Sequence, residues 1–125
     1  MNSAEHPFSP FEERLVALAK EHGFEIARKP VKYYCMFKHR DQGVIVYLDR
    51  QRTPRNIIAV FVHPDTDPER LRNASGHRVD EGLRHSDGMT AFPKKINKGV
   101  RPSTYGYSVV SPELTAFGRL LGQLL

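Results

Sequence analysis

Few side chains in this sequence could act as a nucleophile and its base. Cys35 is the only cysteine, and a catalytic thiol needs a base within reach and an accessible, electropositive setting. His39 lies four residues further along, and in an extended segment that spacing corresponds to more than about 10 Å. Cys35 also points to the same side of such a strand as Tyr33 and Phe37. We therefore expect a buried thiol that packs like a small hydrophobic side chain.

The other groups suited to acid–base or metal chemistry lie in a hydrophilic stretch, residues 75–99. They are His77, Asp80, Glu81, His85 and Asp87. Such groups serve as acids, bases or metal ligands in enzymes, but the histidine spacings match no zinc pattern and the sequence has no phosphate-binding glycine motif. A solvated loop accounts for the same residues. The sequence therefore predicts no catalytic residue, no metal site and no cofactor.

The remaining chemical signal is positive charge, which is segregated along the chain. Segments 28–55 and 94–101 together contain 12 basic and two acidic residues, a net charge of +10. The rest of the chain contains seven basic and 12 acidic residues, a net charge of −5. Guanidinium and ammonium groups neutralise phosphates, and aromatic rings can stack on unpaired bases. This pattern is typical of a protein that binds an anionic partner.

If the fold brings these segments together, they form one continuous positive surface. We therefore predict a basic binding module for a nucleic acid or another polyanion. The expected contacts are Arg50, Arg52, Arg55, Lys94, Lys95, Lys98 and Arg101, with Tyr105 as a stacking side chain. Loops at Arg28 and His39–Arg40 would add to the same face. The alternative is a surface that only keeps the protein soluble, with Tyr105 in the core.

The clearest element that could position these groups is an N-terminal helix. Ser9-Pro10-Phe11-Glu12 has the pattern of an N-cap, a proline at the first helical position and a glutamate at the third, which together form a capping box. Apolar residues then recur at three- and four-residue spacing, and Gly23 is suited to a left-handed cap. The pattern predicts a helix from about residue 10 to residue 22.

The following segments alternate between strand and helix patterns. Strands are expected at 31–38, 44–48, 57–62 and 104–110, with a possible short edge strand at 24–27. Further helices are expected at about 67–73 and from Ser111-Pro112-Glu113 to about Leu124. The order α-β-β-β-α-loop-β-α predicts an α+β fold, in which an antiparallel sheet of about four strands carries the N- and C-terminal helices on one face.

Length and composition place further limits on the molecule. With 125 residues, the chain fits a single domain, residues 1–125, with a flexible tail at 1–8 and a long irregular loop at 75–103. One cysteine excludes an internal disulfide. Residues 1–13 are acidic and contain no apolar run, and no segment approaches the roughly 18 apolar residues of a membrane helix. We therefore expect a cytoplasmic protein that does not contact a membrane.

Several short motifs resemble those of a known family. They are Val46-Tyr47-Leu48-Asp49-Arg50, Val60-Phe61-Val62-His63-Pro64, Phe92-Pro93, Tyr105-Gly106-Tyr107 and the terminal helix. In these pieces the chain resembles the YgaC-like family of small uncharacterised bacterial cytoplasmic proteins, and the overlap covers residues 12–122. The resemblance implies a compact α+β domain and implies no activity, cofactor or catalytic residue.

Two other functions compete with the basic binding module. A protein-interaction domain, either a homodimer or one that binds an acidic protein, could use the sheet face or an exposed edge strand such as 31–38. Tyr33, Tyr34 and Phe37 would supply aromatic area for that interface. An enzyme would place its site in the 75–99 stretch, with His77, His85 and Asp87 as acid, base or metal ligands.

Overall fold

The computed structural model describes residues 7–63, 66, 78–79, 84–85, 92, 94–96 and 102–125. Within these ranges, two helices, α1 and α2, flank the strands, and a 3-10 turn at Thr53–Arg55 follows β3. The helices are α1 (Pro10–Glu21) and α2 (Leu114–Gln123). The strands are β1 (Phe24–Ile26), β2 (Tyr34–His39), β3 (Ile45–Asp49), β4 (Ile58–Val62), β5 (Arg78–Val79), β6 (Arg84–His85), β7 (Lys94–Ile96) and β8 (Pro102–Ser111).

The central sheet is antiparallel, with the strand order β1-β2-β3-β4-β8. Short connections produce this arrangement for the first four strands, because neighbouring strands in the chain pair directly. The expected α+β fold with a helix from each terminal region is confirmed, but five strands form this sheet where about four were expected. The additional strand is β1, which ends at Ile26, before Pro30 could interrupt it. The short strands β5, β6 and β7 each pair with β8.

Helix α1 begins and ends where its sequence predicts. The Ser9 side chain accepts a hydrogen bond from the Glu12 N–H at 3.1 Å, and the Glu12 carboxylate accepts one from the Ser9 N–H at 3.0 Å. Gly23 follows the helix with φ +85°, a left-handed conformation that glycine adopts without steric cost. The capping box and the glycine cap are therefore both confirmed.

Both helices pack on the same face of the sheet and enclose the main core. This core contains Leu15, Val16, Ala19, Phe24, Cys35, Phe37, Val46, Leu48, Ile58, Val60, Val62, Val109, Phe117, Leu120 and Leu121. Side chains of alternate parity point to the other face, where a second buried cluster consists of Tyr47, Phe61 and Phe92. Because the pleat sends successive residues to opposite faces, β3 and β4 are apolar on both parities, as their sequences suggested.

The C-terminal region differs from expectation at two boundaries. Strand β8 is longer than the expected 104–110, and the 75–103 segment, expected as irregular loop, contributes the short strands that pair with it. Ser111, expected to begin the last helix, is instead the final strand residue, and Glu113 is the N-cap of α2 without a side-chain capping bond. The expected helix at 67–73 lies outside the described residues. No helix in the described part of the chain is long and apolar enough to cross a membrane.

Candidate nucleic-acid interface

The antiparallel order places alternate connections at the two ends of the sheet. One end, here called the Arg50 end, contains residues 27–33 between β1 and β2, residues 50–57 between β3 and β4, and the start of α1. The other end, here called the His39 end, contains the turn at 40–44 and the last residues of β4. The predicted nucleic-acid contacts that fall within the described residues can each be placed relative to these ends.

Arg50 is buried and bound to the protein itself. Its guanidinium forms a bidentate pair with Glu12, with Nε–Oε2 3.0 Å and Nη2–Oε1 3.1 Å. Nη1 donates to the Val31 carbonyl at 2.8 Å and Nη2 to the Pro7 carbonyl at 2.9 Å, while the ring of Phe8 lies 5.1 Å from the guanidinium carbon. With its side chain 6% exposed, Arg50 has a structural role here rather than the phosphate contact that its charge suggested. The expected flexible tail at 1–8 therefore includes two residues that contact the folded chain.

Glu12 is the acceptor around which this cluster forms. Besides the two bonds from Arg50, its carboxylate accepts hydrogen bonds from the Ser9 N–H at 3.0 Å and the Thr53 hydroxyl at 2.8 Å. Burial by itself raises the pKa of the Glu12 carboxyl, but the bonds from Arg50, Ser9 and Thr53 and the charge of Arg50 outweigh it, so the pKa is lowered. Glu12 is therefore an ionised carboxylate that joins α1, the end of β3 and the 3-10 turn.

The next two predicted contacts lie at the same end but differ in environment. Arg52 approaches Asp49, with Nε–Oδ2 3.5 Å, and its side chain is 16% exposed. Arg55 is exposed at the end of the 3-10 turn. Arg55 therefore contributes its charge to the surface more fully than Arg52, whose charge is partly compensated by a carboxylate.

The remaining predicted contacts are not brought to the Arg50 end. Lys94 and Lys95 pair in β7 with Thr104 and Ser103 of β8. Thr104 is seven residues from Ser111, which pairs with Ile58 at the Arg50 end, a separation of about 23 Å along an extended strand. Tyr105 lies in the same part of β8, paired with His85. Lys98 and Arg101 lie outside the described residues.

A seven-residue loop at the Arg50 end carries cations that the sequence reasoning left outside its list of contacts. This loop, residues 27–33, is here called the basic loop, and its sequence is Ala-Arg-Lys-Pro-Val-Lys-Tyr. Arg28, Lys29 and Lys32 are all exposed, and no acidic residue occurs in the chain between Glu25 and Asp41. That interval without acids was a signal visible in the sequence. The structure adds that the three cations share the end of the sheet occupied by Arg55.

The basic loop also exposes apolar and aromatic surface. Val31 is 50% exposed and Tyr33 is 45% exposed. The ammonium nitrogen of Lys32, the residue between them, lies 5.4 Å from the centroid of the Tyr33 ring, within the range of a cation–π interaction. The loop therefore combines positive charge with an accessible aromatic ring.

Hydrogen bonds from Arg50 fix the backbone of this loop. Its side chain donates to the Val31 carbonyl, and its main-chain N–H donates to the Tyr33 carbonyl at 2.9 Å. The Val31 N–H in turn donates to the Tyr34 carbonyl at 3.1 Å. Arg50 therefore holds the two carbonyl groups on either side of Lys32, although it does not present its own charge to a ligand.

The expected interaction edge at 31–38 has a different environment. Strand β2 lies between β1 and β3 rather than at an edge of the central sheet. Phe37 is fully buried in the main core and Tyr34 is only partly accessible. Of the three aromatic residues expected at that interface, Tyr33 is the exposed one.

A shallow cavity of about 350 Å³ lies along β1 and the last residues of β2. The cavity is lined by Glu25, Ile26, Ala27, Lys38, His39 and Arg40. Glu25 and Lys38 are opposite each other in the register of β1 and β2, an arrangement that favours attraction between their charges. The Nδ1 atom of His39 accepts hydrogen bonds from the N–H groups of Asp41 at 3.2 Å and Gln42 at 3.1 Å, so this histidine caps the turn.

The groups considered for catalysis or metal binding are only partly described. Cys35 is fully buried in the main core, which confirms the expected burial of this thiol, and that burial raises the pKa of the thiol to about 12. Within the described ranges, no group of three or more histidine, cysteine and acidic residues is arranged to hold a metal ion. His77, Asp80, Glu81 and Asp87 lie outside the described residues.

No protein-family model, curated protein or solved structure matches the chain, so the resemblance to the YgaC-like family stays a prediction from short motifs.

Proposed function

We propose that this protein is a non-catalytic binding module that contacts the phosphates of a nucleic acid through the basic loop. The observation that carries this proposal is the exposure of Arg28, Lys29 and Lys32 within seven residues that contain no acid. Closely spaced cations attract a polyanion because each one that contacts a phosphate releases a condensed counterion. Arg55 at the same end of the sheet extends this surface.

Arg50 and Arg52 differ in exposure from the cations of the basic loop. Arg50 is buried against Glu12 and Arg52 approaches Asp49, so much of their charge is compensated within the fold. The cations of the basic loop are exposed on a backbone that Arg50 holds in place. A held loop loses little conformational entropy on binding, which favours affinity.

Lys94 and Lys95 would serve as a separate contact in this proposal. Their strand lies at the other end of β8 from Ser111, so a short oligonucleotide on the basic loop would not reach them. We expect them to affect the binding of long nucleic acids more than that of short ones, because a longer strand offers phosphates at both places.

A matched pair of charge variants tests the proposed surface. One variant replaces Arg28, Lys29 and Lys32 with glutamine, and the control replaces Lys20, Lys38 and Arg40, which are also exposed but lie toward the His39 end. Both remove three positive charges. The measurement is the fluorescence anisotropy of a labelled oligonucleotide at several salt concentrations, starting near ~50 mM.

The two variants are expected to differ in salt dependence as well as in affinity. Losing three phosphate contacts should reduce the slope of log K against log salt by about two to three in the loop variant, while the control keeps most of the wild-type slope. Equal losses of affinity in both variants would mean that binding depends only on net charge. That result would contradict the assignment of the phosphate contacts to the basic loop. No binding by the wild type at low salt would overturn the proposed function.

A further inference from the structure

We infer that the basic loop binds single-stranded nucleic acid and that Tyr33 stacks on an unpaired base; this inference rests on the proposed function. Three large hydrophobic side chains are exposed in the described part of the chain: Val31, Tyr33 and Leu125. Leu125 is the last residue, whereas the other two flank Lys32 in the basic loop. The accessible ring and the phosphate-binding charges are therefore adjacent in the same short segment.

The aromatic ring distinguishes single strands from a duplex. A duplex presents phosphates at its surface but keeps the faces of its bases stacked against each other, so it can use the cations of the loop but not the Tyr33 ring. A single strand offers both its phosphates and the faces of unpaired bases, and every base has a face on which an aromatic ring can stack. The pairing of ring and cations consequently favours the single strand, with little dependence on base sequence.

Local geometry prepares Tyr33 for this contact. The main-chain N–H of Arg50 donates to the Tyr33 carbonyl, and its guanidinium donates to the Val31 carbonyl, so the backbone on both sides of Lys32 is held. The Lys32 ammonium lies 5.4 Å from the ring centroid. The ammonium therefore lies over one face of the ring, so a base would stack on the opposite face, with the charge close enough to meet a neighbouring phosphate.

The test compares single-stranded and duplex DNA of the same length, about 12 nucleotides, at one salt concentration. Tyr33→Leu removes the ring but no charge, and Tyr33→Phe keeps the ring as the matched control. We expect the leucine variant to lose about tenfold in affinity for the single strand, while its duplex affinity and its salt slope stay at the wild-type values. The phenylalanine variant should bind both DNA forms like the wild type.

The outcomes separate this inference from the proposed function. One outcome is that Tyr33→Leu binds single strands as tightly as wild type, while the triple glutamine variant of the loop loses affinity for both single-stranded and duplex DNA. That outcome would exclude stacking by Tyr33 but would support phosphate binding by the loop. If the wild type binds no nucleic acid and instead binds vesicles that contain phosphatidylserine, both proposals fail and the exposed side chains contact a lipid surface. A wild-type preference for duplex would also overturn the inference.

Folding of the variants is checked independently of DNA binding. Tyr33 is 45% exposed, so the loss of its cation–π contact with Lys32 should cost no more than about 1 kcal/mol. Thermal unfolding of Tyr33→Leu should therefore remain cooperative, with a midpoint close to that of the wild type. The chain has no tryptophan and five tyrosines, so quenching of tyrosine emission by oligothymidine gives a second readout, which should be smaller in Tyr33→Leu than in wild type.

Discussion

Arg50 and Glu12 form a bidentate ion pair across 38 positions of the chain, and the side chain of each is 6% exposed. Glu12 also completes the capping box of α1, while Arg50 also holds the backbone of the basic loop. The pair therefore connects the start of a helix with the surface proposed to bind nucleic acid. Its removal should affect both the stability of the fold and the geometry of that surface.

The first prediction concerns the stability provided by this pair. Arg50→Gln leaves the Glu12 carboxylate buried without its cation, and breaking a buried pair in this way costs about 3–5 kcal/mol. We expect a loss of that size in the free energy of unfolding, measured by urea denaturation. Arg50→Lys should also be destabilising, because an ammonium group cannot reproduce the bidentate contact together with the bonds to the carbonyl groups of Pro7 and Val31.

Two further variants serve as controls for this prediction. Arg52→Gln breaks the longer and more exposed contact with Asp49 and should cost less than Arg50→Gln. The double variant Glu12→Gln, Arg50→Gln should lose less stability than the sum of the two single losses, because neither buried charge is left alone. Additive losses, or equal losses at Arg50 and Arg52, would contradict the coupling between Arg50 and Glu12.

The second prediction concerns the dependence of stability on pH. The pKa of Glu12 in the folded protein lies below its ordinary value of 4.5, so the unfolded chain takes up a proton first as the pH falls. The stabilisation from ionised Glu12 is therefore complete above pH 4.5 and is lost as the pH falls through the folded-state pKa. Glu12→Gln has no such titration and is the matched control.

The measurement is the difference in unfolding free energy between wild type and Glu12→Gln from neutral pH down to about pH 3. We expect this difference to be constant at neutral pH and to decrease in the acidic range. A difference that stays constant throughout would mean that the pKa of Glu12 is the same in the folded and unfolded states.

The sequence allowed local features to be predicted better than long-range ones. The capping box and Gly23 depend on residues within one helical turn, and both were identified from spacing alone. Arg50 was assigned to the surface because its partner is distant in the chain, and a pair formed by the tertiary fold leaves no local pattern. Burial that depends on such a partner was therefore not predictable from spacing.

The expectation of one continuous positive surface had a similar limit. Arg55 and Lys94 belong to cationic segments, but Arg55 lies just before the strand that pairs with Ser111 at one end of β8, whereas Lys94 pairs with Thr104 toward the other end. These positions depend on the pairing of β7 and β4 with β8, which charge patterning does not specify. The lack of acids between Glu25 and Asp41 was, in contrast, a local feature. This interval contains the basic loop, which we propose as the contact for nucleic acid.

The third prediction concerns the reactivity of Cys35. The side chain is fully buried and its thiol pKa is raised to about 12, so at pH 8 the thiolate fraction is roughly one in ten thousand. We expect native protein to react slowly with a disulfide reagent and to react rapidly once urea unfolds it. The labelling rate should follow the unfolded fraction.

A relocated thiol provides the control for this experiment. Gln51 is exposed, so a variant with Cys35→Ala and Gln51→Cys should react rapidly without urea. Rapid labelling of native wild type, at a rate close to that of the relocated thiol, would show that Cys35 is accessible and contradict its placement in the core.

The last prediction separates two effects of glycine at positive φ. Gly23 has φ +85°, and a Cβ atom there would lie 2.6 Å from the Nε2 atom of His39. Gly43 has φ +72°, but the nearest atom to a Cβ there would be 3.9 Å away. Replacing either by alanine introduces left-handed strain of about 1–2 kcal/mol, but only Gly23→Ala adds a clash with a buried ring. The free energy of unfolding, measured in urea, should therefore fall more for Gly23→Ala than for Gly43→Ala. The loss caused by Gly23→Ala should be smaller in a His39→Ala background than in the wild type, because the clashing ring is absent. Equal losses for the two alanine variants would exclude the clash as a contribution and leave backbone strain as the whole effect.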